Sequence, residues 1–388
     1  MRVCLVYDCL FPWTYGGAER WYRSLAERLA REGHEVTYLT RLQWEPSEPP
    51  RIEGVEVIAV SGRDELYGAD GNRRIAPPLR FGRGVLAHLL RHGSAYDVVH
   101  TASFPYFSLL AAGVARRRHH FGLVVDWHEV WTRRYWDEYL GRAGGFVGHL
   151  VQLACLRIPQ RALCFSRLHR DRLLEEGLRG GRPQILEGEY AGDLTPPQPN
   201  DALPLVVFAG RHIREKRAPA VPGAVAAARA SVPELRGVVF GDGPERGLVQ
   251  EAIAAADASG FVSAPGFVDH DELERSLRTA LCMLLPSSRE GYGMVVVEAS
   301  SKGTPSVVVA GEDNAAVELV VDGVNGVVAA SAEPAELARA IVRVHDGGRA
   351  LRERTCAWFA ENAQRLSLEH SLQQVAAVYA RWDDKARA

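Results

Sequence analysis

Three observations predict an α/β protein made of two parallel-sheet domains. Short β-rich runs alternate with helical patterns through the first half of the chain. The alternation stops at a proline-rich break, "AGDLTPPQPNDALP" over 191–204, and then restarts. Strand, helix, strand at this spacing is the pattern of βαβ units, whose crossovers force neighbouring strands to run parallel. The 388 residues suffice for two cores of ordinary size. The predicted domains span 1–190 and 204–370, with 191–203 as a semi-rigid linker and a terminal helix, 370–388, packing back on the first domain.

In order, "RVCLVYD" (2–8) reads as a buried strand and 18–32 as an amphipathic helix stopped by Gly33. Strands follow at 34–40, 55–60, 96–100 and 120–128. In the second half the strand runs are 203–210, 236–243, 260–268, 281–288 and 305–311. The helical tail over 350–382 carries Trp358, Phe359, Tyr379 and Trp382. Ligands of open parallel sheets bind at the carboxyl ends of strands, so the expected site is a cleft between the halves.

Composition excludes several classes. A formal net charge of −2 gives no reason to expect nucleic acid as a partner. The six cysteines form no CxxC pair and mostly sit in apolar runs, as buried free thiols do. The "MRVCLVYD" start lacks the long apolar stretch of a signal peptide, and no run approaches a bilayer span, so a cytoplasmic location is expected. Two segments, 73–93 and "ARRRHH" (115–120), combine arginines with apolar residues. A solvated arginine face is the commoner cause of such runs, and it is favoured here over a membrane patch.

Four constellations carry candidate chemistry. "SREGYGMVVVEASSKGTP" (288–305) sets Glu290 in a glycine loop after a buried strand and Glu298 in the helix that follows. Loop glycines and a helix start present N–H groups to an anion, and the acids can accept hydrogen bonds from hydroxyls. "FAGRHIREKRAP" sets Arg211 and Lys216 past the first strand of the second domain, where two cations can neutralise a diphosphate. "GDGPE" (241–245) and "APGFV" (264–268) are glycine turns after strands. "PWTYGGAER" (12–20) places Gly16 and Gly17 ahead of a helix, without the dinucleotide fingerprint. Each motif alone is also an ordinary loop.

The ordered set GGAE, GR-x4-K, GDGP, PGFV, PSS-x-EGYG-x4-E and DGVNG resembles the retaining glycosyltransferases of family four. The likeness is strongest over 204–330 and collinear over 1–190. It implies the GT-B architecture, two Rossmann-like domains facing across a cleft, and transfer of a sugar from a nucleotide-diphosphate sugar to an acceptor hydroxyl. By the resemblance, Arg211, Lys216, Glu290 and His128 are the candidate catalytic residues, with the two cations on the donor's pyrophosphate. Glu298 is assigned to the ribose, Glu290 to hydroxyls of the sugar, and Gly266, Phe267 and Val268 to the base. Gly16, Gly17, Gly210, Gly241, Gly243 and the Gly291, Tyr292, Gly293, Met294, Val295 run complete the donor contacts. "DWHE" matches the family's "HD"-type loop with a glutamate in place of the frequent aspartate, which leaves Glu129 without a fixed role. "EDNAAVE" (312–318) departs from a glycine-rich loop and makes Asn314 a candidate sugar contact.

Transfer with front-face attack, the leaving phosphate oxygen taking the acceptor proton, needs neither an enzyme nucleophile nor the close carboxylate pair of a retaining glycosidase. Two cations already face the diphosphate, so no cofactor and no essential metal are expected. The acceptor, a soluble small molecule or sugar, is assigned to "DWHEVWTRRYWDEY" (126–139). There His128, Glu129, Trp131, Arg133 and Trp136 combine aromatic faces with charge. Alternatives are a peripheral-membrane enzyme with a lipid-linked acceptor, an epimerase or phosphorylase of the same architecture, and a non-catalytic nucleotide-sugar-binding subunit. The phosphorylase needs a lysine for pyridoxal phosphate, and Lys302 near a helix end is poorly placed for that.

Overall fold

The computed structural model describes residues 1–14, 16–45, 47–66 and 74–387. Tyr15, beside the Gly16–Gly17 pair, and Arg73, at the start of the basic segment, lie outside them. The chain divides into two compact units, 1–189 with 369–388, and 190–368.

The first unit holds strands β1 (Arg2–Val6), β2 (Glu35–Arg41), β3 (Val55–Ser61), β4 (Val98–Ala102), β5 (Gly122–Trp127), β6 (Arg161–Cys164) and β7 (Gln184–Ile185). They form one parallel sheet in the order β3-β2-β1-β4-β5-β6-β7. Helices α1 (Gly17–Arg31), α2 (Ala76–His92), α3 (Tyr106–Ala115), α4 (Arg133–Leu156) and α5 (Arg167–Glu175) link them. β4 and β5 are buried along their whole length, which is why their sequences run apolar with little alternation. Strands β6 and β7 are too short and too broken in pattern to stand out in sequence. α4 starts where the Thr132 side chain accepts the N–H of Tyr135 at 3.2 Å, and Gly141 (φ 71°) kinks it.

The second unit holds β8 (Leu205–Ala209), β9 (Arg236–Phe240), β10 (Val262–Gly266), β11 (Cys282–Leu285), β12 (Arg289–Glu290), β13 (Ser306–Val309), β14 (Asp313–Asn314) and β15 (Gly326–Ala329). Six of these make a parallel sheet, β10-β9-β8-β11-β13-β15, while β12 and β14 pair with each other, Glu290 opposite Asn314. Its helices are α6 (Ala220–Ala228), α7 (Arg246–Ala255), α8 (His270–Thr279), α9 (Met294–Ser300) and α10 (Pro334–Leu366); α11 (Leu368–Arg387) follows.

The boundaries differ from the sequence expectation in two places. The stretch expected to be a linker belongs to the second unit: Asn200 donates to Arg278 O at 3.0 Å and accepts from Arg352 at 2.5 Å. Proline-rich composition sets local stiffness but not whether a packed guanidinium captures the segment. The tail is also not one helix. It breaks at Ser367, so Trp358 and Phe359 are buried in the second unit, whereas Tyr379 and Trp382 serve the first. There Arg28 pairs with Glu369, and Trp382 lies so close to Gly122 that a side chain there would collide with the indole. All six cysteines are free and buried.

Candidate active site

Each unit carries a cluster at the carboxyl ends of its strands. In the second unit the loops after β8, β9 and β10 are stitched together by backbone. His212 N–H donates to Asp242 O at 2.8 Å, Glu245 N–H to His212 O at 2.9 Å, and Gly241 N–H to Gly266 O at 2.8 Å. Gly241 sits at φ 116°, and a β-carbon on it would lie 1.9 Å from Gly210 O. Only glycine permits that approach. A β-carbon on Gly243 would in turn meet the His212 backbone at 2.6 Å. These glycines therefore bring the backbones together, whatever they later touch.

The turn Arg214–Lys216 is tied to the loop before α9 by Ser288 N–H donating to Glu215 O at 2.8 Å. That seats Lys216 on Glu290: the ammonium donates to both carboxylate oxygens, at 2.6 and 2.7 Å, and Ser287 Oγ donates to Oε1 at 2.7 Å. Glu290 is therefore buried, not an open loop acid as the sequence suggests. Two of the three ammonium donors are used and the third is available, as is acceptor capacity on Oε2. Arg211 is exposed, and among the described residues its guanidinium has no partner.

Asn314 is not the open sugar contact that the sequence suggests. Its amide donates to Ser287 O (3.1 Å) and Val309 O (2.8 Å), its oxygen accepts from Ala316 N–H (3.2 Å), and it is buried. It braces the Glu290 loop with both of its amide donors. Gly293, in the left-handed region at φ 99°, caps α9, and a β-carbon there would strike Ala316. Glu298 lies on α9, half-buried, and its charge reaches Tyr190. Tyr292 is buried, Met294 and Val295 are half-buried, and Phe267 stands 75% exposed just past β10, beside the half-buried Val268.

In the first unit, His128 follows β5 and stacks on Phe165, ring centroids 4.6 Å apart. Burial lowers its pKa, against the charges of Asp126 and Glu129, so the imidazole is neutral near pH 7. Its Nε2 is buried with no hydrogen bond among the described residues. Beneath it runs a network that sequence reading missed. His100 Nε2 meets Asp126 Oδ1 at 2.8 Å, Trp21 Nε1 donates to Asp126 Oδ2 at 2.7 Å, and Tyr379 Oη meets His100 Nδ1 at 2.5 Å, all fully or almost fully buried. Burial raises the Asp126 carboxyl, but His100, the His128 charge and the Trp21 hydrogen bond together hold it below the ordinary aspartate range. Burial, then the Asp126 charge, push Glu189 up to about 8. The lone signal in sequence was a histidine and an aspartate inside apolar strands.

The aromatic segment is largely a core. Trp136 is 4% exposed and packs at 4.6 Å from Trp131, so it offers no platform to a ligand, contrary to the sequence reading. The organiser is Gln152 of α4, also unforeseen. Its Oε1 accepts from Tyr106 Oη (2.9 Å), Trp136 Nε1 (3.2 Å) and Trp131 N–H (3.2 Å), while its Nε2 donates to Trp131 O (2.9 Å) and Glu176 (2.7 Å). A single glutamine in "HLVQLACL" was the only hint. Trp131 is half-buried and donates to Glu129 at 2.8 Å. Arg133 pairs with Asp137 and lies over the ring of Phe146. Gly16 is extended and α1 begins at Gly17. Among the described residues no group of three or more His, Cys, Asp or Glu is arranged to hold a metal ion.

Family models match both units: "Glycosyltransferase Family 4" over 15–186 and "Glycosyl transferases group 1" over 195–365. The chain belongs to the group 1 glycosyltransferases. An alpha-D-kanosaminyltransferase of Streptomyces kanamyceticus is 30% identical over 184 residues, covering 46% of each chain. The chain thus spans about half the length of that relative. A glycogen synthase of Mycobacterium tuberculosis is 27% identical over 98% of this chain and 94% of its own. The structure of HepE from Anabaena in complex with UDP and glucose superposes with a TM-score of 0.72 at 18% identity, over 98% of this chain and 99% of that one. This group 1 chain therefore has the GT-B fold.

Proposed function

We propose that the protein transfers a sugar from a nucleotide-diphosphate sugar to an acceptor hydroxyl with retention of configuration. The observation that carries this reading is the pair of cations on the second unit, Arg211 unpaired at the surface and Lys216 held rigidly by Glu290. Charge develops on the diphosphate as the glycosidic bond breaks. A cation already fixed by a carboxylate stabilises it without reorganising, the condition under which electrostatic catalysis is strongest. The complex of the HepE relative with UDP and glucose supports a nucleotide-diphosphate donor.

The donor lies along the second unit. The exposed ring of Phe267 takes the base, Glu298 the ribose hydroxyls, and Lys216 with Arg211 the diphosphate. Glu290 keeps acceptor capacity for one sugar hydroxyl while anchoring Lys216. On the first unit, the unpartnered Nε2 of neutral His128 accepts or donates to a sugar or acceptor hydroxyl, and Trp131 with Glu129 borders the acceptor. The acceptor is a hydroxyl of a small polar molecule or sugar. The leaving phosphate oxygen takes its proton, so no carboxylate acts as nucleophile. Transfer needs no metal in this reading, because Arg211 and the free donor of Lys216 face the diphosphate.

Thermal melts with a panel of nucleoside diphosphates and their sugars identify the donor. Binding at 100-fold over Kd stabilises by about 2.7 kcal/mol, which a melt resolves. Release of nucleoside diphosphate with an acceptor mixture, undiminished by EDTA, and NMR of the product's anomeric configuration complete the test. The reading fails if no nucleotide stabilises the chain or the anomeric configuration is inverted.

A further inference from the structure

We propose that the helical face formed by α2, α3 and α4 of the first unit docks onto a membrane surface rich in anionic lipid. Seven of the large apolar residues exposed among the described residues lie on these helices. The densest group is on α4 after its kink, where Phe146, Val147 and Leu150 are 50%, 59% and 46% exposed. Together with the exposed Ala143 and Ala154 they recur at intervals of three and four, so they form one stripe along one side of the helix. A stripe of this kind is what a helix lying in a bilayer interface presents.

Charge identifies the occupant. Neither α2, α3 nor the stretch of α4 from Arg142 to Leu156 contains an Asp or Glu. Arg142 and Arg157 bracket the stripe, roughly 22 Å apart along the helix. Both are exposed, and so are Arg117 and Arg118 just past α3. Among the described residues these four side chains have no ion-pair partner. The acids in the first turns of α4, Asp137 and Glu138, are already paired with Arg133 and Arg134.

The three helices pack side by side. The α2 backbone at Gly82 touches Phe107 of α3, Gly113 of α3 touches Ile158, and Arg116 donates to Pro159 O at 2.5 Å. That last contact sets the Arg116–Arg118 run beside Arg157. The two basic segments noted in the sequence thus join a third, on α4, which sequence reading did not single out. A nucleic acid would meet the arginines but leave the apolar stripe in water. A bilayer with anionic headgroups satisfies both. No helix is long and apolar enough to cross a membrane among the described residues, so the contact is peripheral.

The inference does not depend on which acceptor the protein uses, and binding alone tests it. The full chain is sedimented with phosphatidylcholine vesicles and with vesicles containing about 30 mol% phosphatidylglycerol. We expect binding to the anionic vesicles only, weakening as salt screens the arginines. The triple variant Phe146→Gln, Val147→Gln, Leu150→Gln should lose at least about tenfold in partitioning, and Arg117→Glu with Arg118→Glu should do the same. An unchanged melting temperature shows that these surface variants still fold. Failure to bind either vesicle, equal binding to both, or full binding by the triple variant would overturn the inference. So would a wild-type dimer that the triple variant converts to monomer, since the stripe would then serve a second copy of the chain.

Discussion

The carboxyl-end loops of the two units are held by different means. In the second unit, backbone meets backbone at glycines, and side chains with charge, Lys216, Glu290 and Arg211, are placed on that frame. In the first unit the frame is itself made of side chains: Gln152 gathers three aromatic residues, and Asp126 gathers His100 and Trp21. A backbone frame leaves its mark as glycine at fixed spacings. A side-chain frame leaves only scattered polar residues in apolar runs, because its members come from elements far apart in sequence.

Four substitutions sharpen that contrast. Gly241→Val should be the most damaging to folding. It forces a β-branched residue to positive φ and drives its β-carbon into Gly210 O, at a cost of about 3–5 kcal/mol. A melting temperature close to wild type would refute the backbone frame. Lys216→Ala should lower kcat about 100-fold, the scale for loss of one transition-state donor. Binding of a nucleoside monophosphate should fall far less, since the lost cation acts on the diphosphate. Equal losses for both would remove Lys216 from its assigned role.

Gln152→Leu should destabilise by about 2–3 kcal/mol, since it strands the indole of Trp136, the Tyr106 hydroxyl and Glu176 together. Nucleotide-induced stabilisation should survive, and its disappearance would mean that the two frames are not independent. Glu189→Gln should have the smallest effect and reveal itself only in pH dependence. The Glu189 pKa is raised in the folded state, so its contribution is complete below the ordinary glutamate range near 4.5 and is lost as pH rises through about 8. The variant should flatten the fall in melting temperature over that window. A profile parallel to wild type would show that Glu189 titrates normally.

Much of the donor side was legible in the chain itself. The glycine turns, the GR-x4-K spacing and the EGYG-x4-E spacing each encode a local geometry, since strand, loop and helix follow one another without interruption. The burial of Glu290 was not legible, because Lys216 lies 74 residues away and only folding brings them together. Asn314 misled because its side chain turns to backbone: Val309 O at the end of β13 and Ser287 O just past the neighbouring β11. The acceptor-side segment misled differently. Its aromatics at helical spacing suit both a platform and a core, and burial of Trp136 against Gln152 decides for the core.

The sequence by itself determined the alternation of strands and helices, the two α/β units, the positions of the glycine loops and the family, all of which depend on order along the chain. Tertiary structure alone decided which charges are paired and which are free. It set the Asp126 network, divided the tail at Ser367 between units, and left an apolar stripe on α4 exposed. Those outcomes depend on burial and on contacts between residues remote in sequence, and no local pattern of residue types records them.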